Sequence, residues 1–355
     1  MNPGSPGRHR IVTTATLPTP VRSGGMATAT SAAPAVDPAE LEKYRRELTG
    51  YCYRMLGSGF DAEDAVQETM LRALKAADRF EGRSSLRSWL YRIATNTCLD
   101  ALRGQKRRAR PMELGGAYAP DLSAMEPMLP EHMWVSPIAD DRVLPIEADP
   151  ADLIAAKESV RLAFVTALQH LPAKQRAALI LFEVLAWQAT EVAELLETSV
   201  PAVNSLLQRA RATLSKAQDE TARPDDVGTD QKELLAKFCD AFERYDMAAI
   251  VALLHEDAIQ SMPPYAMWLE GSADIVTWWA GPGIDCKGSK LFPVNVNGGH
   301  GFAQYRVNKV DGSYYPWALQ YLEVEGDKIK GYHAFLEPTR LFEMFELPAY
   351  LPPAA

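Results

Sequence analysis

Residues 190–211 read TEVAELLETSVPAVNSLLQRAR, two short helix-forming segments separated by a Thr-Ser turn. Ser199 can cap the second segment, and Pro201 fits the first turn of a helix, where a missing N–H group costs little. Five apolar side chains would form a small core between the two segments: Val192, Leu195, Leu196, Val203 and Leu207. This pattern predicts a helix-turn-helix.

The second segment of this motif has the composition of a DNA-reading helix. Such a helix enters the major groove with its N-terminal end first, so that polar side chains contact bases while arginines contact phosphates. The candidate DNA-binding residues are Ser199, Pro201, Ala202, Asn204, Ser205, Gln208, Arg209 and Arg211. An ordinary helical hairpin with a solvated polar face is the alternative interpretation.

A second stretch, residues 80–96, reads FEGRSSLRSWLYRIATN and places arginines among aromatic and small polar residues. Guanidinium groups neutralise phosphates and aromatic rings stack on unpaired bases, so this composition is typical of single-stranded nucleic-acid binding. The candidates are Arg83, Ser84, Ser85, Arg87, Ser88, Trp89, Tyr91, Arg92 and Asn96, with Arg103 beyond them. The alternative is that Trp89 and Tyr91 are core residues, since Trp89 shares an apolar stripe with Leu86, Leu90 and Ile93.

Composition and charge limit the class of protein. The 355-residue chain is 47% hydrophobic, which supports packed cores and excludes wholesale disorder. No apolar run approaches the roughly 18–20 residues of a membrane-spanning helix. The formal net charge of −9 is unevenly distributed, with +5 on residues 38–110, −8 on 111–152, +1 on 153–223 and −9 on 224–355. The negative total therefore leaves room for local contact with nucleic acid.

We divide the chain into five parts. Residues 1–37 are predicted to be a disordered extension without a signal peptide, in which Met26 is an alternative start. Residues 38–110 and 153–220 show helical periodicity, and residues 111–152 form an acidic linker. Residues 230–347 begin with helices and continue with short strands rich in Val, Tyr, Trp and Phe. The predicted fold class is two all-α domains followed by an α+β domain with a curved antiparallel sheet.

Local signals set expectations for individual elements. The glycines at 57 and 59 are predicted to end one helix, and Asp61 to cap the next. Residues 153–217 are predicted as four helices, at about 153–170, 173–185, 190–196 and 200–217. Asp311-Gly312 and Glu325-Gly326 are predicted turns between strands.

Two motifs together resemble a known family. Residues 61–69 (DAEDAVQET), followed by residues 80–96, strongly resemble region 2 of the sigma-70 family of RNA polymerase sigma factors. Residues 171–176 (LPAKQR), followed by the helix-turn-helix, resemble region 4. With only these two regions, over about 38–110 and 153–217, the chain is similar to an extracytoplasmic-function (ECF) sigma factor.

The resemblance implies a role for each motif. The acidic helix would dock on the clamp helices of the largest subunit of core RNA polymerase, through Asp61, Asp64, Gln67, Glu68 and Leu71. Residues 83–96 would melt the promoter and capture a flipped base of the minus-ten element, and region 4 would read the minus-thirty-five element. The acidic linker would follow the RNA-exit path, where its charge resembles that of single-stranded nucleic acid. Many relatives have basic residues where this chain has Asn204 and Leu206, so base readout would depend more on Asn204 and Gln208.

The C-terminal part resembles a different family. Residues 242–258, together with 262–264 and 332–335, resemble a SnoaL-like, NTF2-like domain. In this fold a cone-shaped sheet surrounds a pocket, and a subset of ECF factors carries such a domain at the C-terminus. Some members are isomerases or cyclases, but Met262 and Phe238 stand where those enzymes have a carboxylate and a tyrosine. Asp257 is a further polar candidate, and a lone histidine in a strand is more often structural. The candidate pocket residues are Met262, Trp268, Trp278, His300, Tyr305, Trp317 and His333.

These inferences predict a cytoplasmic transcription initiation factor rather than an enzyme. Its predicted partners are core RNA polymerase and promoter DNA, with an anti-sigma factor and a small-molecule ligand as further candidates, and no membrane. The four cysteines are scattered, so neither a disulfide framework nor a metal site is indicated, and no cofactor is expected. The alternatives are a stand-alone helix-turn-helix regulator that senses a ligand, and a bifunctional protein with a catalytic SnoaL-like domain. Packing of residues 230–347 against the two helical domains would indicate autoinhibition.

Overall fold

The computed structural model describes residues 36–80, 82, 84–126, 128–218 and 229–353. The predicted N-terminal extension lies outside these ranges except for its last two residues, and Arg83 lies outside them as well. Within the described ranges, no helix combines the length and the apolar character needed to cross a lipid bilayer.

Four helices form the first bundle. They are α1 (Pro38–Glu42), α2 (Arg45–Leu56), α3 (Gly59–Lys75) and α4 (Leu86–Ala101). Helix α2 ends at Gly57, whose φ of +70° lies in the left-handed region that favours glycine. The predicted cap of α3 is wrong, because Ser58 and not Asp61 occupies that position, and its Oγ accepts a hydrogen bond from the Asp61 N–H at 3.2 Å. Asp61 instead lies in the first helical turn, where a carboxylate is favourable next to the helix dipole.

The acidic linker is an ordered part of the fold. It forms short 3-10 turns at Pro111–Glu113, Leu122–Met125 and Glu131–Met133, followed by helix α5 (Asp140–Val143). Its residues Trp134 and Ile138 are buried in the interior. The sequence shows no periodicity here because the buried apolar side chains lie on short, irregular segments and not on one face of a helix.

Five helices form the second helical part: α6 (Pro150–Glu158), α7 (Leu162–Gln169), α8 (Ala173–Leu179), α9 (Ala189–Leu195) and α10 (Val200–Gln218). A π-turn at Ile180–Val184 continues α8. The prediction of one helix over 153–170 is wrong, because Arg161 is extended, with φ −54° and ψ 140°. The Arg54 guanidinium binds the Ser159 carbonyl at 3.1 Å and its hydroxyl at 2.6 Å, so a side chain of the first bundle occupies acceptors at the end of α6.

The C-terminal part is an α+β domain, as predicted. Its helices are α11 (Thr229–Arg244), α12 (Met247–Leu253), α13 (Ser272–Ala280) and α14 (Pro338–Met344). Its strands are β1 (Leu254–Ser261), β2 (Trp268–Glu270), β3 (Lys290–Val296), β4 (Gly299–Val307), β5 (Tyr314–Glu325) and β6 (Lys328–Phe335). The sheet order is β2-β1-β6-β5-β4-β3. The expected antiparallel pairing is wrong for one pair, since β1 and β6 run parallel. The predicted turns at Gly312 and Gly326 are confirmed by their positive φ angles.

The described residues pack around two apolar cores. One lies between the sheet and helices α11 to α13, where Phe238 is fully buried among aromatic rings. The other runs from the first bundle through the linker and the second helical part to the opposite face of the sheet, and it includes Tyr53, Ile138, Val165 and Tyr321. The C-terminal domain therefore shares a core with both helical parts of the chain.

Candidate promoter and polymerase interface

Helix α3 presents a face of mixed character to solvent. Asp64, Gln67, Leu71 and Leu74 follow one another at helical spacing, and all four are exposed. The two leucines are 44% and 42% exposed, which is unusual for large apolar side chains placed side by side. This combination suits a protein docking surface.

Two of the residues predicted to contact polymerase make ion pairs within the chain. The Asp61 carboxylate binds the buried Arg108 guanidinium at 2.5 Å, which connects the start of α3 to the segment just before the linker. Glu68 pairs with Arg72 one turn further along α3 at 2.6 Å. Asp61 is therefore a structural contact in this arrangement.

Helix α4 carries most of the predicted promoter-melting residues. Ser85 caps the helix by accepting a hydrogen bond from the Ser88 N–H at 3.0 Å. Trp89 is partly buried and packs against Phe80, with ring centroids 5.0 Å apart and the ring planes tilted by 39°. The predicted residues differ in exposure. Three of them are exposed: Ser85, Asn96 and Arg103. Three others are partly buried: Ser84, Ser88 and Trp89.

Tyr91 does not face solvent. Its ring is fully buried, with its centroid 5.2 Å from that of Tyr51 and 5.1 Å from that of Trp187. The interpretation of Tyr91 as a base-stacking residue is therefore corrected, since the ring lies in the core between the two helical parts. The residue that covers it, Trp187, belongs to the second helical part and is distant in sequence.

Two predicted phosphate-binding arginines also face the second helical part. The Arg87 guanidinium lies 5.1 Å from the ring centroid of Tyr91 and 5.3 Å from that of Trp187, and it binds Glu47 at 3.1 Å. Arg92 lies 3.4 Å from Glu194 of helix α9. The contact between the helical parts thus overlaps the predicted promoter-melting surface.

The predicted reading face of α10 is open to solvent. Pro201, Asn204, Gln208 and Arg211 lie on one side of the helix and are exposed, as is Arg209 beside them. Further predicted contacts differ in exposure: Ser199 is exposed, whereas Ala202 and Ser205 are partly buried. Ser199 caps the helix through a hydrogen bond from the Ala202 N–H at 3.4 Å, and Arg211 pairs with Glu183 at 2.6 Å. Four of the five core side chains predicted between α9 and α10 are buried: Val192, Leu195, Val203 and Leu207. The fifth, Leu196, is partly buried.

The turn between β3 and β4 lies where three other parts of the chain meet. The Asn297 side-chain amide donates hydrogen bonds to the Tyr53 hydroxyl at 2.6 Å and to the Val160 carbonyl at 2.7 Å. Its side-chain oxygen accepts a hydrogen bond from the Ile138 N–H at 3.1 Å. One fully buried side chain therefore contacts the first bundle, the linker and the second helical part.

Gly298, the next residue of this turn, is packed closely against the linker and the second helical part. The Gly298 N–H donates to an Asp140 carboxylate oxygen at 2.7 Å, and burial raises the pKa of that carboxyl to about 6. A Cβ atom on Gly298 would lie 2.4 Å from the Lys157 carbonyl oxygen, and the residue has a φ of +69°. Sequence reasoning missed this junction, although Asn297-Gly298 between two strands is a strong hairpin signal.

A buried charged cluster joins the end of the first bundle to the sheet. Arg110 lies 3.1 Å from Glu323 of β5 and 2.9 Å from His333 Nε2, and His333 Nδ1 lies 2.7 Å from the Ser261 hydroxyl. Burial alone would raise the pKa of Glu323, but Arg110 and His333 hold it well below its usual range. Burial and the Arg110 charge lower the pKa of His333. His333 is therefore a buried structural residue of the interface.

The other predicted pocket residues do not converge on one site. Met262 and Trp278 are buried in the core beneath the helices, whereas Tyr305 packs on α14 and its hydroxyl donates to the Pro348 carbonyl at 2.7 Å. The Trp268 indole N–H donates a hydrogen bond to the Gly115 carbonyl at 2.9 Å. The Arg306 guanidinium lies over the Trp317 ring, 4.1 Å from the ring centroid. Asp257 is exposed, 3.8 Å from Lys330. His300 lines a cavity between α11 and the strands β3 and β4.

No group of three or more His, Cys, Asp or Glu side chains in the described part of the chain is arranged to hold a metal ion.

Comparison with known families identifies the class of protein that carries these surfaces. The chain matches the family models for Sigma-70 region 2 over residues 41–108, Sigma-70 region 4 over residues 161–214 and the SnoaL-like domain over residues 235–332. It is 45% identical over 316 residues to the ECF RNA polymerase sigma factor SigG of Mycobacterium tuberculosis (strain ATCC 25618 / H37Rv), which covers 87% of this chain and 83% of SigG. It is 29% identical over 289 residues to the ECF RNA polymerase sigma factor SigJ of the same strain, and this match covers 77% of this chain and 83% of SigJ.

The chain therefore belongs to the ECF RNA polymerase sigma factors. This confirms the prediction of a transcription initiation factor whose partners are core RNA polymerase and promoter DNA, and sigma factors as a class are not enzymes. A crystal structure of M. tuberculosis SigJ matches with a TM-score of 0.56 and 24% identity, and it covers 88% of this chain and 100% of that one. This likeness confirms the predicted fold class of two helical sigma domains followed by an NTF2-like domain.

Proposed function

We propose that the C-terminal domain of this sigma factor holds regions 2 and 4 in a closed arrangement, and that initiation requires this arrangement to open. The observation that carries the proposal is the insertion of Asn297 and Gly298 among region 2, the linker and region 4. A buried polar side chain whose N–H groups and oxygen are all hydrogen-bonded fixes the relative position of the parts it joins. The C-terminal domain would thus act as an internal inhibitor.

Inhibition would act on promoter melting in particular. Arg87 and Arg92 face Trp187 and Glu194 of region 4, so these arginines are not free for a melted strand in the closed arrangement. The exposed face of α3 and the reading face of α10 are free of this contact. Docking on polymerase and recognition of duplex DNA could therefore precede opening.

The proposed contact residues follow from exposure. Asp64, Gln67 and Leu71 would dock on the polymerase clamp helices, where an acidic and apolar helix face complements a basic coiled coil. Asn204 and Gln208 would read bases of the minus-thirty-five element. Arg209 and Arg211 would bind phosphates on either side.

We also propose that the SnoaL-like domain is regulatory and not catalytic. Met262 and Phe238 replace the carboxylate and tyrosine of the isomerase-like members, and both are buried in the apolar core. A general base needs access to substrate, and the two buried side chains here have no proton to exchange. The protein would act in the cytoplasm, where core polymerase is found.

The test uses two matched glycine variants. Gly298→Ala introduces a Cβ atom that collides with the Lys157 carbonyl, whereas Gly326→Ala adds the same atom at a positive φ with no atom within 4 Å. In transcription with purified core polymerase, Gly298→Ala is expected to give several-fold more promoter-specific transcript than the unaltered protein. Gly326→Ala should leave the yield unchanged, because it adds backbone strain without disturbing the junction.

Small-angle scattering on the same proteins would report the arrangement directly. The proposal predicts a larger radius of gyration for Gly298→Ala, because the parts separate when the junction is displaced. An expanded Gly298→Ala protein that transcribes no better than the unaltered protein would contradict autoinhibition. Tyr53→Phe, which removes a hydroxyl that accepts from Asn297 and donates to Ser136, provides a milder second variant without a steric clash.

A further inference from the structure

We infer that the C-terminal domain binds a small apolar molecule carrying one anionic group, in the cavity between α11 and the β3–β4 hairpin. Binding itself is independent of the proposed closed arrangement, whereas its regulatory consequence rests on that proposal. Neither follows from the pocket residues predicted from the sequence, of which His300 alone lines this cavity.

The size and walls of the cavity suit a small molecule. Its volume is about 650 Å³, which is within the usual range for small-molecule sites. Leu235 and Ala236 of α11 form one wall, and Pro293 and Phe302 of the strands form the other. Apolar surface on both sides would take the body of the ligand out of water.

The carboxylates that line the cavity are already neutralised. Asp240 pairs with Arg244 at 2.6 Å. Glu243 pairs with Lys290 at 3.1 Å and accepts a hydrogen bond from the Leu291 N–H at 2.9 Å. These two side chains therefore offer little attraction to a cationic ligand.

Among the residues that line the cavity, Lys232 is the cationic side chain. Lys232 is exposed and makes no ion pair among the residues that the structure describes. The half-buried His300 imidazole makes no hydrogen bond to any described residue, and burial together with Lys157, Lys232 and Arg161 lowers its pKa. The unpaired charge at the mouth of the cavity is therefore positive, which selects an anionic head group such as a carboxylate.

An extended peptide is a poorer fit for the same place. β3 is the edge strand of the sheet beside the cavity, so a peptide would have to pair with its free edge. Pro293 lies in the middle of β3 and has no N–H to donate to an added strand. The geometry thus favours a compact ligand held by apolar walls and one charged end.

The position of the cavity links it to the junction. Residues 293–295 and 300–302 line it, and they are the strand segments on either side of the Asn297–Gly298 turn. A ligand between α11 and these strands would bias the position of the turn, because the two strands carry it directly. Ligand binding would then shift the balance between the closed and open arrangements.

The test is calorimetric titration of the full-length protein with three rigid probes of equal shape. They are naphthoate, naphthol and naphthylmethylammonium, which carry a negative, a neutral and a positive group. Naphthoate is expected to bind at least about tenfold more tightly than the other two. Equal affinities for the three probes, or no binding of naphthoate, would overturn the inference.

Three variants locate the site. Lys232→Gln should weaken naphthoate binding by about tenfold, whereas Lys237→Gln should not, because Lys237 is on the same helix, pairs with Glu233 at 2.8 Å and does not line the cavity. Ala236→Trp should abolish binding by filling the cavity while leaving the melting temperature unchanged. An equal loss in the Lys232 and Lys237 variants would show non-specific attraction and refute the site.

Transcription assays with saturating naphthoate separate this inference from the proposed function. If naphthoate changes the transcript yield and Ala236→Trp removes this change, the result supports both the ligand site and its link to the junction. Binding without any change in yield would refute the link to the junction but leave the site intact. Absence of binding, together with a higher yield from Gly298→Ala, would refute the site but leave the closed arrangement intact.

Discussion

The side-chain amide of Asn297 donates a hydrogen bond to the Tyr53 hydroxyl at 2.6 Å, across 244 positions of sequence. The Tyr53 hydroxyl in turn donates to the Ser136 carbonyl in the linker at 2.9 Å. Tyr53 and Asn297 are fully buried, so the short chain of hydrogen bonds is shielded from water. This relay connects the C-terminal domain to region 2 and to the linker at one point.

Disrupting the relay should reveal coupling between its two ends. Tyr53→Phe leaves the Ser136 carbonyl and one Asn297 N–H without a partner, and Asn297→Gly removes the amide while tolerating the φ of +52°. Each variant is expected to lower the free energy of unfolding by about 1–3 kcal/mol. A double-mutant cycle in urea should give a coupling of about 1 kcal/mol.

The exposed Tyr350 provides the control, since Tyr350→Phe removes a hydroxyl from a side chain that is 56% exposed. Additive effects of Tyr53→Phe and Asn297→Gly would show that the two side chains do not act together.

The raised pKa of Asp140 predicts a junction that is weaker at high pH. Its pKa is about 6 in the folded protein and about 4 when unfolded, so the folded state binds the proton more tightly. The resulting stabilisation is complete below about pH 4 and is lost as the pH rises through about 6, amounting to roughly 3 kcal/mol.

Asp140→Asn tests this assignment, because an amide oxygen can still accept from the Gly298 N–H but does not titrate. Urea unfolding between pH 4 and pH 8 should show a smaller decrease in stability for the variant than for the unaltered protein. Parallel pH profiles for the two proteins would contradict the assignment to Asp140.

Breaking the buried pair of Arg110 and Glu323 should be costly. Their side chains are 11% and 21% exposed, so Arg110→Met leaves a largely buried carboxylate without its cation. We expect a loss of about 3 kcal/mol in the free energy of unfolding, most of which is recovered by adding Glu323→Gln. Arg45→Met breaks an exposed pair with Glu42 and should cost less than about 1 kcal/mol. A double variant no more stable than Arg110→Met would disprove charge compensation.

The reading face of α10 makes a prediction about promoter DNA. Gln208→Ala should relax sequence preference at one position of the minus-thirty-five element by about 1–3 kcal/mol. Arg209→Ala should weaken binding to all DNA sequences alike, because it removes a phosphate contact. It should also reduce the salt dependence of binding by about one counterion. Fluorescence anisotropy with short duplexes at several salt concentrations measures both effects. Lys216→Gln, near the far end of the same helix, should leave sequence preference unchanged, and a change there would argue against this reading face.

The exposed leucines of α3 make a prediction about polymerase. Leu71→Glu should abolish comigration with core polymerase on a native gel, because the apolar contact of Leu71 is lost and a carboxylate would have to be desolvated in its place. Leu122→Glu introduces the same change at an exposed leucine of the linker, which is 68% exposed, and should preserve comigration. Comigration of the Leu71→Glu protein would exclude this face from docking.

The sequence predicted the helix-turn-helix and its capping well, because Ser199 and Pro201 act on residues only a few positions away. It could not place Tyr91, since a tyrosine beside an arginine fits either a nucleic-acid surface or a core. The side chain that decides this, Trp187, packs on Tyr91 only after region 4 has docked on region 2. The predicted pocket was wrong for Tyr305 and His333 because alternate residues of a strand face opposite sides of the sheet.

The amino-acid sequence by itself determined the class of protein, the order of its domains and the faces of α3 and α10. Those features depend on periodicity, capping and charge among residues close together in the chain. Tertiary structure alone decided that the linker is ordered, that region 4 covers Arg87 and Arg92, and that the Asn297–Gly298 turn is buried. The contacts of Arg87 and Arg92 with region 4, and those of the Asn297 side chain, join residues at least 100 positions apart. Their energy depends on packing and desolvation that no local pattern encodes.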